Sequence, residues 1–432
     1  MIDSSLKQKL TSKGFEGEFI IPSYESFCLS NLPATIASFF GTRMRTPTLP
    51  VHYISEKIPS VRPQNVLLIV LDGFGYNAWL QMISDGCFFQ RATDCGVMFP
   101  VTTVFPSATA AALTSLSTGL TPQEHGLPEW YVYVRELDMI IATLPFSPMG
   151  TPGLDVLLGR MDPRSLFSGK TVFSYLRESG IESVTIVPSA GADSAYSHLA
   201  LKGSNIVPYQ SLTDYAVLIR KRLQTLTRRT LICAYCDAID SIAHKYGPNT
   251  DEWQAEVATL SNVLKKEFLE KVDRDTANKT LLIVTADHGQ VNVSPNETTY
   301  LNGFRKVVRN FARSRRAKAI LPSWSARDVA LQIREDRLEE TRSELSDLLE
   351  GKAVVLHTKD AVKLGLFGLN SASARFMQRA GNMVILPRRN QTIWYKHPQG
   401  KKFQFLGAHG GLSEEEILVP LAISRLSDLT NT

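Results

Sequence analysis

No apolar run in this chain of 432 residues approaches the roughly 20 residues that a membrane-crossing helix needs. The first residues, MIDSSLKQKLTSKGFEGE, lack the apolar stretch of a signal peptide, so a cytoplasmic location is the expectation. Cysteine is scarce: five residues, odd in number and scattered, which excludes a disulfide framework and points to reduced thiols. The one close pair, Cys233 and Cys236 in LICAYCD, falls in an expected strand whose alternation sends the two side chains to opposite faces, so both are expected in the core. Internal repeats and low-complexity segments are missing. A hydrophobic content of 44% rules out disorder as the default, and the length suits either one large α/β domain with an insertion or two domains. The charge excess of +5 is too small to call for nucleic acid by itself.

What the chain does have is a set of apolar runs that stop abruptly at residues able to hold a metal. In TLLIVTADHGQ, from Thr280 to Gln290, a run of the length of a buried strand ends in Asp287, His288 and Gly289. VLLIVLDGFG repeats the construction and ends in Asp72. In open α/β sheets, ligands gather beyond the carboxyl ends of the strands, where both residues are expected to lie. GVMFPVTTVFPSATAAALTSLSTG reads as a strand, proline-punctuated turns and a helix starting near Thr109, which places a hydroxyl at a helix N-terminus suited to phosphate. Helix and strand then alternate through 171–237, the pattern of a mostly parallel sheet covered on both faces. AIDSIAHKYGP follows, with Asp240 and His244 at i and i+4 on one helical face, where Asp237 could compete for the role.

Four segments result. Residues 1–60 form an extension with an amphipathic helix near 31–40, packed on the core. Residues 61–290 form the first part of a catalytic α/β core, 291–402 an inserted cap, and 403–432 a return to the core that carries His409 in GAHGG. The insert leaves beside His288 and returns beside His409, so it is expected to overhang the site. Its basic run between Arg305 and Lys318 is either a contact for a large anionic substrate or a solvated helix face. Asp72, Asp240, His244, Asp287, His288 and His409 are donors enough for two zinc-type ions with about three protein ligands each, manganese being the alternative. Such a pair can polarise a phosphoryl group and activate a hydroxyl, which Thr109 would supply.

Taken together, LDGFG, FPSATAAALTSLSTG, TGLTPQEHG, DSIAHKYGP, TADHG and GAHGG occur in the order found in the alkaline phosphatase superfamily, and the chain most resembles its type I phosphodiesterase and nucleotide pyrophosphatase branch from about residue 66 onward. The resemblance implies a three-layer α/β/α sandwich with a mostly parallel central sheet and an inserted smaller α+β cap. It also implies that Asp72, Thr109, Asp287 and His288 hold one metal and Asp240, His244 and His409 the other, and that a phosphorylated Thr109 is the intermediate, in preference to Thr102, Thr103 or Ser107. The substrate implied is a small phosphodiester or nucleotide; that no membrane partner is expected rests on the lack of a long apolar run. The chain departs from the branch at Ala112, where an asparagine that binds a phosphoryl oxygen is typical. It has no Cys-x-Pro-x-Arg sulfatase signature, and Ala110 stands where bacterial alkaline phosphatases have an arginine. Diesters are therefore expected over monoesters, with Ala110, Ala111 and Ala112 as an apolar wall. The alternatives are a phosphomonoesterase of the same superfamily, or a nucleic-acid-binding protein with a vestigial metal site.

Overall fold

The computed structural model describes residues 4–50, 53–54, 63–398 and 402–430; the expected boundary between 60 and 61 lies outside them. Seven strands form the main sheet: β1 (Asn65–Leu71), β2 (Gly96–Thr102), β3 (Glu182–Pro188), β4 (Asn205–Tyr209), β5 (Thr230–Cys236), β6 (Thr280–Thr285) and β7 (Leu418–Arg425), in the spatial order β2-β7-β6-β1-β5-β3-β4. Continuous runs of Val, Ile and Leu suit strands covered on both faces, and every residue of β1 and β6, at the centre, is buried. The edge strand β4 is partly exposed.

Register decides where the site forms. Asn65 stands opposite both Thr230 and Thr280, and Val70 opposite both Tyr235 and Thr285, so the parallel strands β5, β1 and β6 end flush. The residues that follow them meet at one edge. Strand β7 is antiparallel to both its neighbours, β6 and β2. An antiparallel strand begins where its parallel neighbours finish, so the loop preceding β7 lies at the same edge. The covering helices bury apolar stripes: in Leu212–Gln224, Tyr215, Ala216, Ile219 and Leu223 face inward, and the Ser211 hydroxyl caps the first turn by accepting from the Asp214 N–H at 3.2 Å.

The helix expected near 31–40 is Leu32–Phe39, but it is not amphipathic: all its residues except Ser38 are buried. The extension wraps over the core, and Arg229 donates to the carbonyls of Phe39 and Phe40, so this helix has almost no solvent face.

Between His288 and His409 lies a four-stranded sheet built from Ser323–Trp324, Val329–Leu331, Ala353–His357 and Met383–Pro387. Its strands alternate between two cores. Met383, Ile385 and Leu331 join a separate apolar cluster with Leu345 and Phe311, whereas Val384, Leu386 and Ala330 join the main core. The insert is thus seated by one sheet face. A second tie is the pair of Arg327 and Glu416, 1% and 0% exposed, in which Nε donates to Oε1 at 2.9 Å and Nη2 to Oε2 at 2.7 Å. Arg327→Ala would leave a buried carboxylate without its cation, and the expected loss is about 3–5 kcal/mol in urea unfolding. A loss below about 1 kcal/mol would show that the pair does not secure the insert.

Candidate active site

All seven expected site residues come together at this sheet edge. Asp72 follows β1, Asp287 and His288 follow β6, and β5 runs into α2 (Ala238–Tyr246), whose first and last turns present Asp240 and His244 on one face. Thr109 is the first residue of α1 (Thr109–Thr118), which no side chain caps. His409 sits in the glycine loop before β7. At Gly289 a Cβ would lie 1.9 Å from the Glu415 carbonyl oxygen, so only glycine lets the chain turn away after His288.

The first group surrounds His288 Nε2. Asp72 Oδ1 is 3.3 Å from it, Asp287 Oδ2 3.4 Å and Thr109 Oγ 3.1 Å. His288 Nδ1 lies 3.1 Å from the Gly289 carbonyl, which can only accept, so the ring proton is on Nδ1 and Nε2 carries a lone pair. Asp287 Oδ1 is already engaged by the N–H groups of Gly73 at 3.2 Å and His288 at 2.9 Å, and Asp72 Oδ2 by the Tyr235 hydroxyl. Asp72 Oδ1 and Asp287 Oδ2 are buried without any hydrogen-bond partner. The one proton here is that of the Thr109 hydroxyl, which donates to Nε2; the two carboxylate oxygens converge on the same point with none, an arrangement that a cation relieves.

The second group follows the same rule. His244 donates its Nδ1–H to the Gly407 carbonyl at 2.8 Å and His409 to the Ser107 carbonyl at 3.0 Å, so both present Nε2 to Asp240, at 3.4 Å from Oδ2 and 3.8 Å from Oδ1. Asp240, His244 and His409 have donor atoms within 4.8 Å of one another, as do Asp72, Asp240 and His288, so Asp240 lies between the groups. The His288 and His409 rings stack at 3.7 Å. Burial raises Asp72 well above the usual carboxylate range, helped by the charges of Asp287 and Asp240, and burial also raises Asp240 and Asp287. Burial lowers His288, and lowers His409 further with the help of His288 and His244. The donor set of imidazole nitrogen and carboxylate oxygen fits zinc-type ions.

The competing hydroxyls are committed elsewhere. Ser107 Oγ donates to the Gly411 carbonyl at 2.7 Å and accepts from the Gly410 N–H at 3.1 Å, which anchors the His409 loop. Thr102 is engaged with Ser23 and Phe27, and Thr103 with the Asp287 carbonyl. Asp237 precedes α2 without capping it and accepts from the Tyr209 hydroxyl at 3.5 Å, outside both donor groups.

A cavity of about 380 Å³ adjoins Asp72, Thr109 and Asp240, and its walls include Leu113, Leu116, Trp130, Leu144 and Phe173. Three expectations change here. Ala110, Ala111 and Ala112 are fully buried, because they face the core, and Leu113 and Leu116, a turn later, form the wall. No described residue of 291–402 lines this cavity; the insert instead buttresses the His409 loop, through Ser325, whose hydroxyl lies 3.4 Å from the His409 carbonyl, and through Arg327. The run 305–318 borders a different cleft, and only Arg305–Arg309 is helical. Cys236 is in the core as expected, and Cys233 packs against that core while also lining the cavity.

The family model for type I phosphodiesterase / nucleotide pyrophosphatase matches residues 66–412. No curated protein matches the chain. Among solved structures, murine ectonucleotide pyrophosphatase / phosphodiesterase 5, in an inactive threonine-to-alanine variant with AMP, superposes with a TM-score of 0.61 at 17% identity, covering 85% of this chain and 92% of that one. The human counterpart gives 0.58 at 18% identity, with the same coverage of 85% and 92%.

Sequence reasoning missed Tyr235 and Gln290, whose side chains donate to Asp72 and Asp240. Gln290 follows the Asp-His-Gly turn directly and was within reach of a reading by position. Tyr235 needed the pairing of β5 with β1, which no local pattern reveals. Tyr235→Phe removes only the hydroxyl and leaves Asp72 Oδ2 unheld. About tenfold weaker retention of zinc against a competing chelator is expected, and unchanged retention would deny Tyr235 an orienting role.

Proposed function

Since the chain belongs to the type I phosphodiesterase/nucleotide pyrophosphatase family, whose members are metal-dependent hydrolases, we propose that it cleaves phosphodiester or nucleotide pyrophosphate bonds with Thr109 as nucleophile. In this reading Asp72, Thr109, Asp287 and His288 hold one divalent ion, and Asp240, His244 and His409 a second. The observation that carries it is the common orientation of the three imidazoles: each gives Nδ1–H to a backbone carbonyl and turns Nε2 toward buried carboxylates. When bound, two such ions neutralise the phosphoryl oxygens and favour the alkoxide of a coordinated hydroxyl.

The residues of the chain account for the rest. Thr109, 7% exposed at the start of an uncapped helix, aims Oγ into the donor cluster, where His288 is its one hydrogen-bond partner among the described residues. The free N–H groups of that first turn face a developing negative charge, in place of the asparagine that Ala112 cannot supply. Oγ would bond to phosphorus as the alcohol or phosphate leaves, and water would then release the second product and restore the hydroxyl. Leu113, Leu116, Trp130 and Phe173 exclude water from the ester group beside this centre. A nucleoside fits that wall, in line with the AMP held by the murine relative.

Substrate charge follows from the same walls. Among the described residues no Lys, Arg or His lines the cavity, so the third anionic oxygen of a monoester meets no side-chain cation from them, while a second ester group finds apolar room. With zinc-loaded protein, kcat/KM for bis-p-nitrophenyl phosphate is expected to exceed that for p-nitrophenyl phosphate at equal pH; the reverse order would favour a phosphomonoesterase. Thr109→Ala is expected to retain the fold, since the Thr109 hydroxyl makes no capping bond and meets His288 alone among the described residues, and to lose at least about nine-tenths of turnover. Retention of wild-type turnover would remove Thr109 as nucleophile.

A further inference from the structure

A second cleft, of about 730 Å³, lies where three segments distant in sequence meet: the turn after Tyr131–Val134, the run 305–318, and the helix Ala374–Ala380. Arg135, Arg313, Arg315, Arg375 and Arg379 line it, against one acidic residue, Glu136. We propose that this cleft binds a polyanion through its phosphate groups.

The loop that carries Arg313 and Arg315 is tied down: Arg313 bridges Ala319, the Ser314 N–H donates to the Lys318 carbonyl at 2.8 Å, and Ala312 N–H donates to the Gln332 carbonyl at 2.7 Å. The Ser314 hydroxyl also donates to Asp138 Oδ2 at 2.9 Å, and Asp138 Oδ1 accepts from Tyr133 at 2.9 Å, which fixes the loop against the turn bearing Arg135. This is a built edge and not a solvated helix face. Arg379 is spent on structure: it donates to the carbonyls of Gly126, at 2.7 Å, Ser165, at 2.8 Å, and Leu166. Among the described residues no ion pair engages Arg135, Arg313, Arg315 or Arg375. Burial, with Arg375 beside it and only Glu136 opposing, pushes Arg379 down to about 9, so the cations here outnumber the acid that faces them.

Guanidinium groups match phosphate oxygens with paired donors, and like charges held together favour a ligand carrying several anionic groups. Base recognition has no platform in the cleft, because its one aromatic ring, Tyr133, is 6% exposed and its hydroxyl is engaged by Asp138. Phosphates are therefore the recognised chemistry, whether free or in a nucleic-acid backbone. The cleft shares no lining residue with the Thr109 cavity, so the proposal stands apart from the catalytic reading.

The test uses the full-length, zinc-loaded protein with two probes, inorganic tripolyphosphate by calorimetry and a fluorescein-labelled short single-stranded oligonucleotide by anisotropy. At least one is expected to bind saturably, with an affinity that falls as salt rises. Tighter binding of the oligonucleotide assigns the cleft to a nucleic-acid backbone, and tighter binding of tripolyphosphate to a small polyanion. The double substitution Arg135→Ala and Arg315→Ala is expected to weaken that binding about tenfold or more and to leave hydrolysis of a small diester unchanged. Binding that survives both substitutions would belong to the catalytic cavity and overturn the proposal, as would a lack of saturable binding by either probe at low salt.

Discussion

Three imidazole N–H groups, each given to a backbone carbonyl, are the constraint on which the site depends. Gly289, Gly407 and Ser107 supply the carbonyls, and each fixes a ring and its tautomer so that Nε2 looks inward. Two of the three carbonyls belong to segments far from the ring they hold. The carboxylates opposite are held as firmly: Asp287 by two backbone N–H groups, Asp72 by Tyr235 and Asp240 by Gln290. These bonds aim the ligand atoms at two points and leave Asp72 Oδ1 and Asp287 Oδ2 unmatched.

The sheet makes that convergence possible. Parallel β5, β1 and β6 end in register, so three strand ends deliver residues to one edge without further adjustment. A fourth element with its ligand upstream of the strand has to run the other way, and β7 does, bringing His409 to the edge that the others reach from below. The insert contributes by holding this last loop: Arg327 grips Glu416, and Glu416 Oε1 accepts from the Gly411 N–H at 2.9 Å. A Cβ on Gly411 would approach Glu416 Oε2 to 2.6 Å, so the loop's glycines allow this packing as well as the turn.

Much of this was legible in the chain. Apolar runs ending in Asp72 and in Asp287-His288 reported both the central strands and their cargo, because a strand covered on both faces must be apolar throughout and its end is then conspicuous. The i, i+4 pair of Asp240 and His244 was equally local. Long-range matters were not legible. Nothing near Ala110, Ala111 and Ala112 states which face of their helix meets the core, and the wall proved to be Leu113 and Leu116. Tyr235 acts across a strand pairing, and the 305–318 run borders a cleft whose other half comes from residues 133–136 and 374–379. Position along the chain suggested that the insert overhangs the site, whereas its two-faced sheet seats it on the core.

The central claim is that these residues form two metal positions bound through Nε2. Anomalous diffraction at the zinc edge, from crystals grown with zinc, tests it most directly. The account predicts two strong peaks, one bonded to His288 Nε2 with Asp72 and Asp287, the other to the Nε2 atoms of His244 and His409 with Asp240. A single peak, or ligation through any Nδ1, would contradict it.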